Sequence, residues 1–154
     1  MKPIHNRVIL HVDDDPQMTD LVSKQLTKQG YDVVSINNPA QAIPLLIQKD
    51  CRVVMLDIDM PQINGLELLE EIKQFDGGIQ VIMLTGVVTT TNVLRSFRRG
   101  AEACFFKPVD DFQPIIDALE DAFSKIDRWW HTLEELVHRK QVEKEPIQTA
   151  EANR

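Results

Sequence analysis

Apolar positions follow two alternating rhythms along the chain. Short β-rich runs at Val8–Val12, Asp32–Ile36, Val53–Leu56, Gln80–Leu84 and Ala103–Phe106 predict five strands. Between them, Pro16–Gln29, Pro39–Lys49, Leu66–Phe75 and Thr90–Arg99 space their apolar residues at helical intervals, and a long helical pattern begins near Asp111. The boundaries carry local chemistry. Asp15 before Pro16 pairs a capping carboxylate with a residue suited to the first helical position. Gly30 stands where a helix C-terminus needs a left-handed residue. Pro44 removes one backbone donor, which predicts a kink or a late start for the second helix.

Strands that alternate with helices imply parallel pairing with both faces covered. Right-handed crossovers then make a doubly wound α/β sandwich the expected fold: a five-stranded parallel sheet flanked by five helices, the last of them extended. The expected organisation is one domain over 1–125, a C-terminal extension of the last helix over 126–144, and a polar tail over 145–154 that is expected to be disordered.

The extension has a pattern of its own. Phe112, Leu119, Ile126 and Leu133 recur every seven residues, as do Ile115, Ala122, Trp129 and Leu136, with Ile116, Phe123, Trp130 and Val137 beside them. An unbroken helix from 111 to 144 would be roughly 50 Å long, against about 35 Å for a body of this size. The stripe beyond Ile126 then either folds back on the body or meets a partner helix, as in a homodimer or a coiled link to another protein.

Composition narrows the function. The 154 residues carry 17 basic and 24 acidic side chains, a net charge of −7, which disfavours general binding to nucleic acid or anionic membrane. Cys51 and Cys104 form neither a disulfide framework nor a zinc spacing and fit a reducing compartment. The first apolar run, Val8–Val12, is too short for a signal-peptide core, and Gly77–Leu94 is uncharged but too polar for a membrane span. A cytoplasmic protein is expected, with no direct nucleic-acid or membrane contact.

Candidate chemistry gathers at strand ends. Val8–Val12 runs into Asp13 and Asp14, the third strand into Asp57, the fourth into Thr85 and the fifth into Lys107. In open α/β sheets the ligand crevice lies outside the carboxyl ends of the strands, so the fold would collect three carboxylates, a hydroxyl and an ammonium on one rim. Clustered carboxylates resist joint ionisation, and an all-oxygen set suits a hard divalent cation such as Mg2+, which commonly shares its shell with a phosphate. Lysine and hydroxyl are then left for phosphoryl oxygens. Phosphoryl transfer needs this positioning and neutralisation, with one carboxylate as nucleophile giving an acyl phosphate.

These residues resemble the receiver domain of two-component response regulators. The matching pieces are Val12-Asp13-Asp14, Asp57-Ile58-Asp59-Met60-Pro61 with Gly65 beyond, Leu84-Thr85-Gly86, Gly100-Ala101 and Lys107-Pro108, covering about residues 5–125. The resemblance implies that Asp57 is the phosphoacceptor, that Asp14 binds Mg2+ directly and Asp13 through water, and that the Asp59 backbone carbonyl is a further ligand. It implies that Thr85 bonds the phosphoryl group, that Lys107 pairs with Asp57 or its phosphate, and that Lys107-Pro108 is a candidate cis bond. It also implies a sensor histidine kinase or phosphotransfer protein as partner, and a homodimer or output surface on the face made by the fourth helix, fifth strand and fifth helix. The sequence departs from the family at Cys104, where an aromatic residue is common three places before the lysine.

Two other functions remain open at this point. One is a phosphorylation-independent interaction module on the same scaffold. The other is an aspartate-based phosphohydrolase, since Asp57-Ile58-Asp59 matches a DxD motif; the acidic pair ahead of it and Met60-Pro61 after it fit that class poorly. Elsewhere bland roles are expected. Asp15 caps a helix, His11 is a satisfied core histidine, His131 and His138 are solvated, and Cys104 is a small buried hydrophobe.

Overall fold

The computed structural model describes residues 7–152, with side chains described for 7–144. Five strands, β1 (Val8–Val12), β2 (Asp32–Ile36), β3 (Val53–Leu56), β4 (Gln80–Thr85) and β5 (Ala103–Phe106), form one parallel sheet in the order β2-β1-β3-β4-β5. The helices are α1 (Pro16–Lys28), α2 (Ala42–Lys49), α3 (Gly65–Phe75), α4 (Thr90–Arg98) and α5 (Gln113–Ala152). The expected doubly wound α/β fold is therefore the fold observed.

The alternation of strand side chains builds two cores. Leu10, Val12, Val54, Leu56, Val81 and Met83 face Ala42, Leu46, Leu66, Leu69 and Ile72 of α2 and α3. Ile9, Val53, Met55, Ile82 and Leu84 face Met18, Val22 and Leu26 of α1 and Ile115, Leu119 and Phe123 of α5. Both faces of the central strands are thus covered, which is why they read as continuous apolar runs.

Local chemistry sets the ends. The Asp15 side chain accepts from Gln17 N as the N-cap of α1. Pro44 acts as expected: a short 3-10 turn, Pro39–Gln41, precedes α2, and Pro44 falls in the first turn, where a missing donor costs nothing. His11 departs from expectation. It is fully buried, yet both ring nitrogens lack a hydrogen-bond partner. Burial first, and the Lys107 charge second, push it down to about 3, so it is a neutral ring. Cys104 is half-buried rather than buried. Burial pushes the Cys51 thiol up to about 11, which keeps it an inert core group. The backbone of α5 runs on helically to Ala152, past the point near 145 where the sequence predicts an irregular tail; residues 153–154 lie outside the described residues.

Candidate functional site

Register brings the strand ends together. Val12 pairs with Leu56, so Asp13 and Asp57 leave adjacent strands side by side. Thr85 pairs with Phe106, so Lys107 follows directly beside it, and Lys107 N donates to the Thr85 carbonyl at 2.9 Å. The rim lies where β1 and β3 send their connections to opposite faces, which opens the crevice.

Asp13, Asp14 and Asp57 present carboxylate oxygens that all lie within 4.8 Å of one another. Asp13 is fully buried and Asp57 is 4% exposed. The Lys107 ammonium sits between them, 2.6 Å from Asp13 Oδ2 and 3.2 Å from Asp57 Oδ2. Its closer partner is therefore Asp13, where the sequence points to Asp57. The other Asp57 oxygen, Oδ1, is buried without a hydrogen-bond partner.

The electrostatics follow from that crowding. Burial, with the Asp57 charge beside it, raises the Asp13 carboxyl above its ordinary range despite the Lys107 hydrogen bond. Burial alone would lower Lys107, but its hydrogen bond to Asp13 and the charges of Asp13 and Asp57 more than reverse that and raise it. Among the described residues the Lys107 ammonium pairs with two of the three clustered carboxylates, Asp13 and Asp57. The donor set, all oxygen and short of one positive centre, fits a hard divalent ion, and the unpartnered Asp57 Oδ1 gives such an ion or a donor group something to satisfy.

Thr85 is fully buried at the end of β4, and its hydroxyl accepts from Val87 N at 3.1 Å. The Asp59 side chain is exposed and outside the carboxylate group, which leaves only its backbone as a candidate ligand. The Lys107-Pro108 peptide is cis.

Two supporting residues decide whether this rim can form. A Cβ on Gly65 would lie 1.9 Å from the Asp57 carbonyl oxygen, so only glycine lets α3 start this close to the acceptor. Gly65 N donates to the Ile58 carbonyl at 2.7 Å and fixes the loop. Asn37 escapes the sequence analysis. Its amide donates to the Asp13 carbonyl at 2.9 Å and to Thr19 Oγ1 at 3.1 Å, tying β2 and α1 to the acidic turn. An Asn just past a strand end is a weak signal, since such residues usually serve turns.

The chain is similar to known proteins. A family model described as a response regulator receiver domain matches residues 9–120. The transcriptional regulatory protein GlrR of Escherichia coli (strain K12) is 33% identical over 132 residues, which is 84% of this chain but 29% of that protein. Sporulation initiation phosphotransferase F of Bacillus subtilis (strain 168) is 32% identical over 120 residues, 78% of this chain and 93% of that one. The crystal structure of response regulator protein TrrA from Thermotoga maritima, in complex with Mg(2+)-BeF, superposes with a TM-score of 0.68 at 28% identity, covering 75% of this chain and 98% of that one.

Proposed function

The chain belongs to the response regulator receiver domain family, and from that premise we propose that Asp57 accepts a phosphoryl group from a sensor histidine kinase or phosphotransfer protein in the cytoplasm. The observation that carries this reading is the Lys107 ammonium held between Asp13 and Asp57 while Asp57 Oδ1 has no partner. A carboxylate oxygen of Asp57 attacks phosphorus, and the bond from phosphorus to the donor's imidazole nitrogen breaks. The electron pair goes to that nitrogen, and Asp57 is left as an acyl phosphate. Lys107 supplies a fixed positive charge for one phosphoryl oxygen, and the Thr85 hydroxyl turns from Val87 N to donate to another. Mg2+, held by Asp13, Asp14 and Asp57 with the Asp59 carbonyl, would neutralise charge developing on the phosphoryl oxygens.

The chain assists its own phosphorylation and dephosphorylation and turns over no other substrate. Movement of Thr85 would be read on the neighbouring face of α4 and β5, where Leu94, Phe97 and Phe106 are exposed. The unpaired thiols of Cys51 and Cys104 suit the reducing cytoplasm.

Intact mass after incubation with acetyl phosphate tests the reading. One phosphoryl group should be gained only with Mg2+ present, and Asp57→Asn should abolish the gain. No gain in the folded wild type would remove Asp57 from this role. Sustained release of phosphate from simple esters would point to a phosphohydrolase, and partner binding indifferent to Asp57→Asn to a constitutive module.

A further inference from the structure

The acidic turn is held by more than its ion pair. Asp13 and Asp14 share one planar peptide, and like charges on neighbouring residues push that plane to turn. Several ties oppose the turning. Asp13 N donates to the Ile36 carbonyl at 3.2 Å. Asp13 Oδ1 accepts from Asp15 N at 3.0 Å, and Asp13 Oδ2 lies 2.6 Å from the Lys107 ammonium. The Asp13 carbonyl accepts from Asn37 Nδ2 at 2.9 Å. Of these, the Asn37 bond grips the plane that joins the two acids.

Asn37 is itself anchored. Its Nδ2 also donates to Thr19 Oγ1 at 3.1 Å, and that hydroxyl, on a residue only 5% exposed, donates to the Pro16 carbonyl at 3.1 Å. Pro16 follows Asp15, whose N–H returns to Asp13 Oδ1. The bonds close a ring that begins and ends on Asp13 and passes through the loop after β2 and the first turn of α1.

The usual employments of an asparagine do not account for position 37. Among the described non-glycine residues only Asp50 has a positive φ, so Asn37 serves no left-handed turn. Capping after β2 falls to Asn38, whose side chain accepts from Ala40 N at 3.1 Å. Two N–H groups on one nitrogen, shared between two acceptors, are what a primary amide offers. A carboxylate there would offer none and a hydroxyl one.

We propose that Asn37, backed by Thr19, is a positioning residue that sets the affinity of the rim for a divalent cation by fixing the Asp13–Asp14 peptide before the ion arrives. The proposal rests on the reading of the rim as a Mg2+ site. The Lys107 tie cannot serve alone, because an incoming cation competes with the ammonium for the same carboxylate. The Asn37 bond falls on a backbone carbonyl outside the carboxylate cluster, so it survives binding. Ligands held in place beforehand lose less freedom when the ion comes. Asn37 is exposed, so its removal leaves the core intact, and the expected effect is that of one net hydrogen bond.

Calorimetric titration of the full chain with MgCl2 tests it. Asn37→Ala should weaken Mg2+ binding about fivefold. Thr19→Val, which keeps the side-chain shape and loses the hydroxyl, should shift affinity the same way, and Thr19→Ser should restore it. The double variant Asn37→Ala with Thr19→Val should bind no more weakly than Asn37→Ala, because both break one ring. Urea unfolding separates positioning from structure. The rise in midpoint that Mg2+ produces should shrink in Asn37→Ala, whereas a merely structural residue would lower the midpoint equally with and without the ion. Unchanged Mg2+ affinity in Asn37→Ala would overturn the proposal alone. So would losses that add in the double variant, or a Mg2+-dependent rise equal to the wild type's. A wild type that takes up no Mg2+ would overturn it together with the metal site. The titration uses no phosphoryl donor, so its result is independent of the chemistry of Asp57.

Discussion

Two charged clusters sit at opposite ends of the same sheet, and they are built on opposite rules. At the amino end, Glu120 of α5 receives both the Arg7 guanidinium and the Tyr31 hydroxyl. Arg7 also lies over the rings of Tyr31 and Phe123, 5.7 and 5.6 Å from their centroids, and those rings stack at 5.7 Å. One acid, one base and a phenol satisfy one another. Burial alone would raise Glu120, but the hydrogen bonds from Arg7 and Tyr31 hold it below its ordinary value. Burial and the Glu120 hydrogen bond together raise Tyr31. At the carboxyl end, Asp13 and Asp57 share the Lys107 ammonium with Asp14 close by, and a buried Asp57 oxygen goes without a partner. The first cluster is complete and holds β1, β2 and α5 together. The second is short of positive charge, as a site must be if a ligand is to supply it.

The sharpest way to break the comparison is to remove one partner from each cluster in turn. Lys107→Met leaves Asp13 buried without a cation and should cost about 3 kcal/mol in urea unfolding without metal. Millimolar Mg2+ should recover part of that loss. A loss that Mg2+ does not touch would place no ion-binding capacity in the rim. Tyr31→Phe should cost about 1 kcal/mol, whatever the Mg2+ concentration, because it removes one hydrogen bond from a filled cluster. The smallest effect is expected from Glu120→Gln, well under about 1 kcal/mol at neutral pH, since the pair is partly exposed and screened. Its sign with pH is defined. The folded pKa of Glu120 lies below its unfolded value, so the wild type's advantage is present above the ordinary glutamate range and lost as pH falls through the folded value. An advantage that grew on acidification would contradict the pairing.

The same contrast separates what the sequence makes legible from what it does not. Strand ends are readable because period and burial fix where each strand stops, and a parallel sheet does the rest. Asp13, Asp14, Asp57, Thr85 and Lys107 converge for that reason alone. Capping by Asp15 and the late start of α2 at Pro44 are equally local. Pairings across the fold are not. Nothing near Arg7 in sequence points to Glu120, 113 residues away. Nothing in a five-residue strand says that His11 would find no partner. Arg99 similarly lies 3.9 Å from Glu70 of α3, a contact that no spacing along the chain announces. Such contacts depend on rotamers and on which long side chains reach one another, and periodicity carries neither.

Because α5 is one uninterrupted helix, and among the described residues its packing on the core reaches as far as Trp130, it is also a lever. A rotation of about 5° at its base, too small to disturb the packing of Leu119 or Phe123, sweeps the far end through roughly 2 Å over the roughly 27 Å spanned by residues 127–144. That displacement is comparable to the radius of a side chain, so small adjustments of the sheet would be amplified mechanically at the tip of the rod.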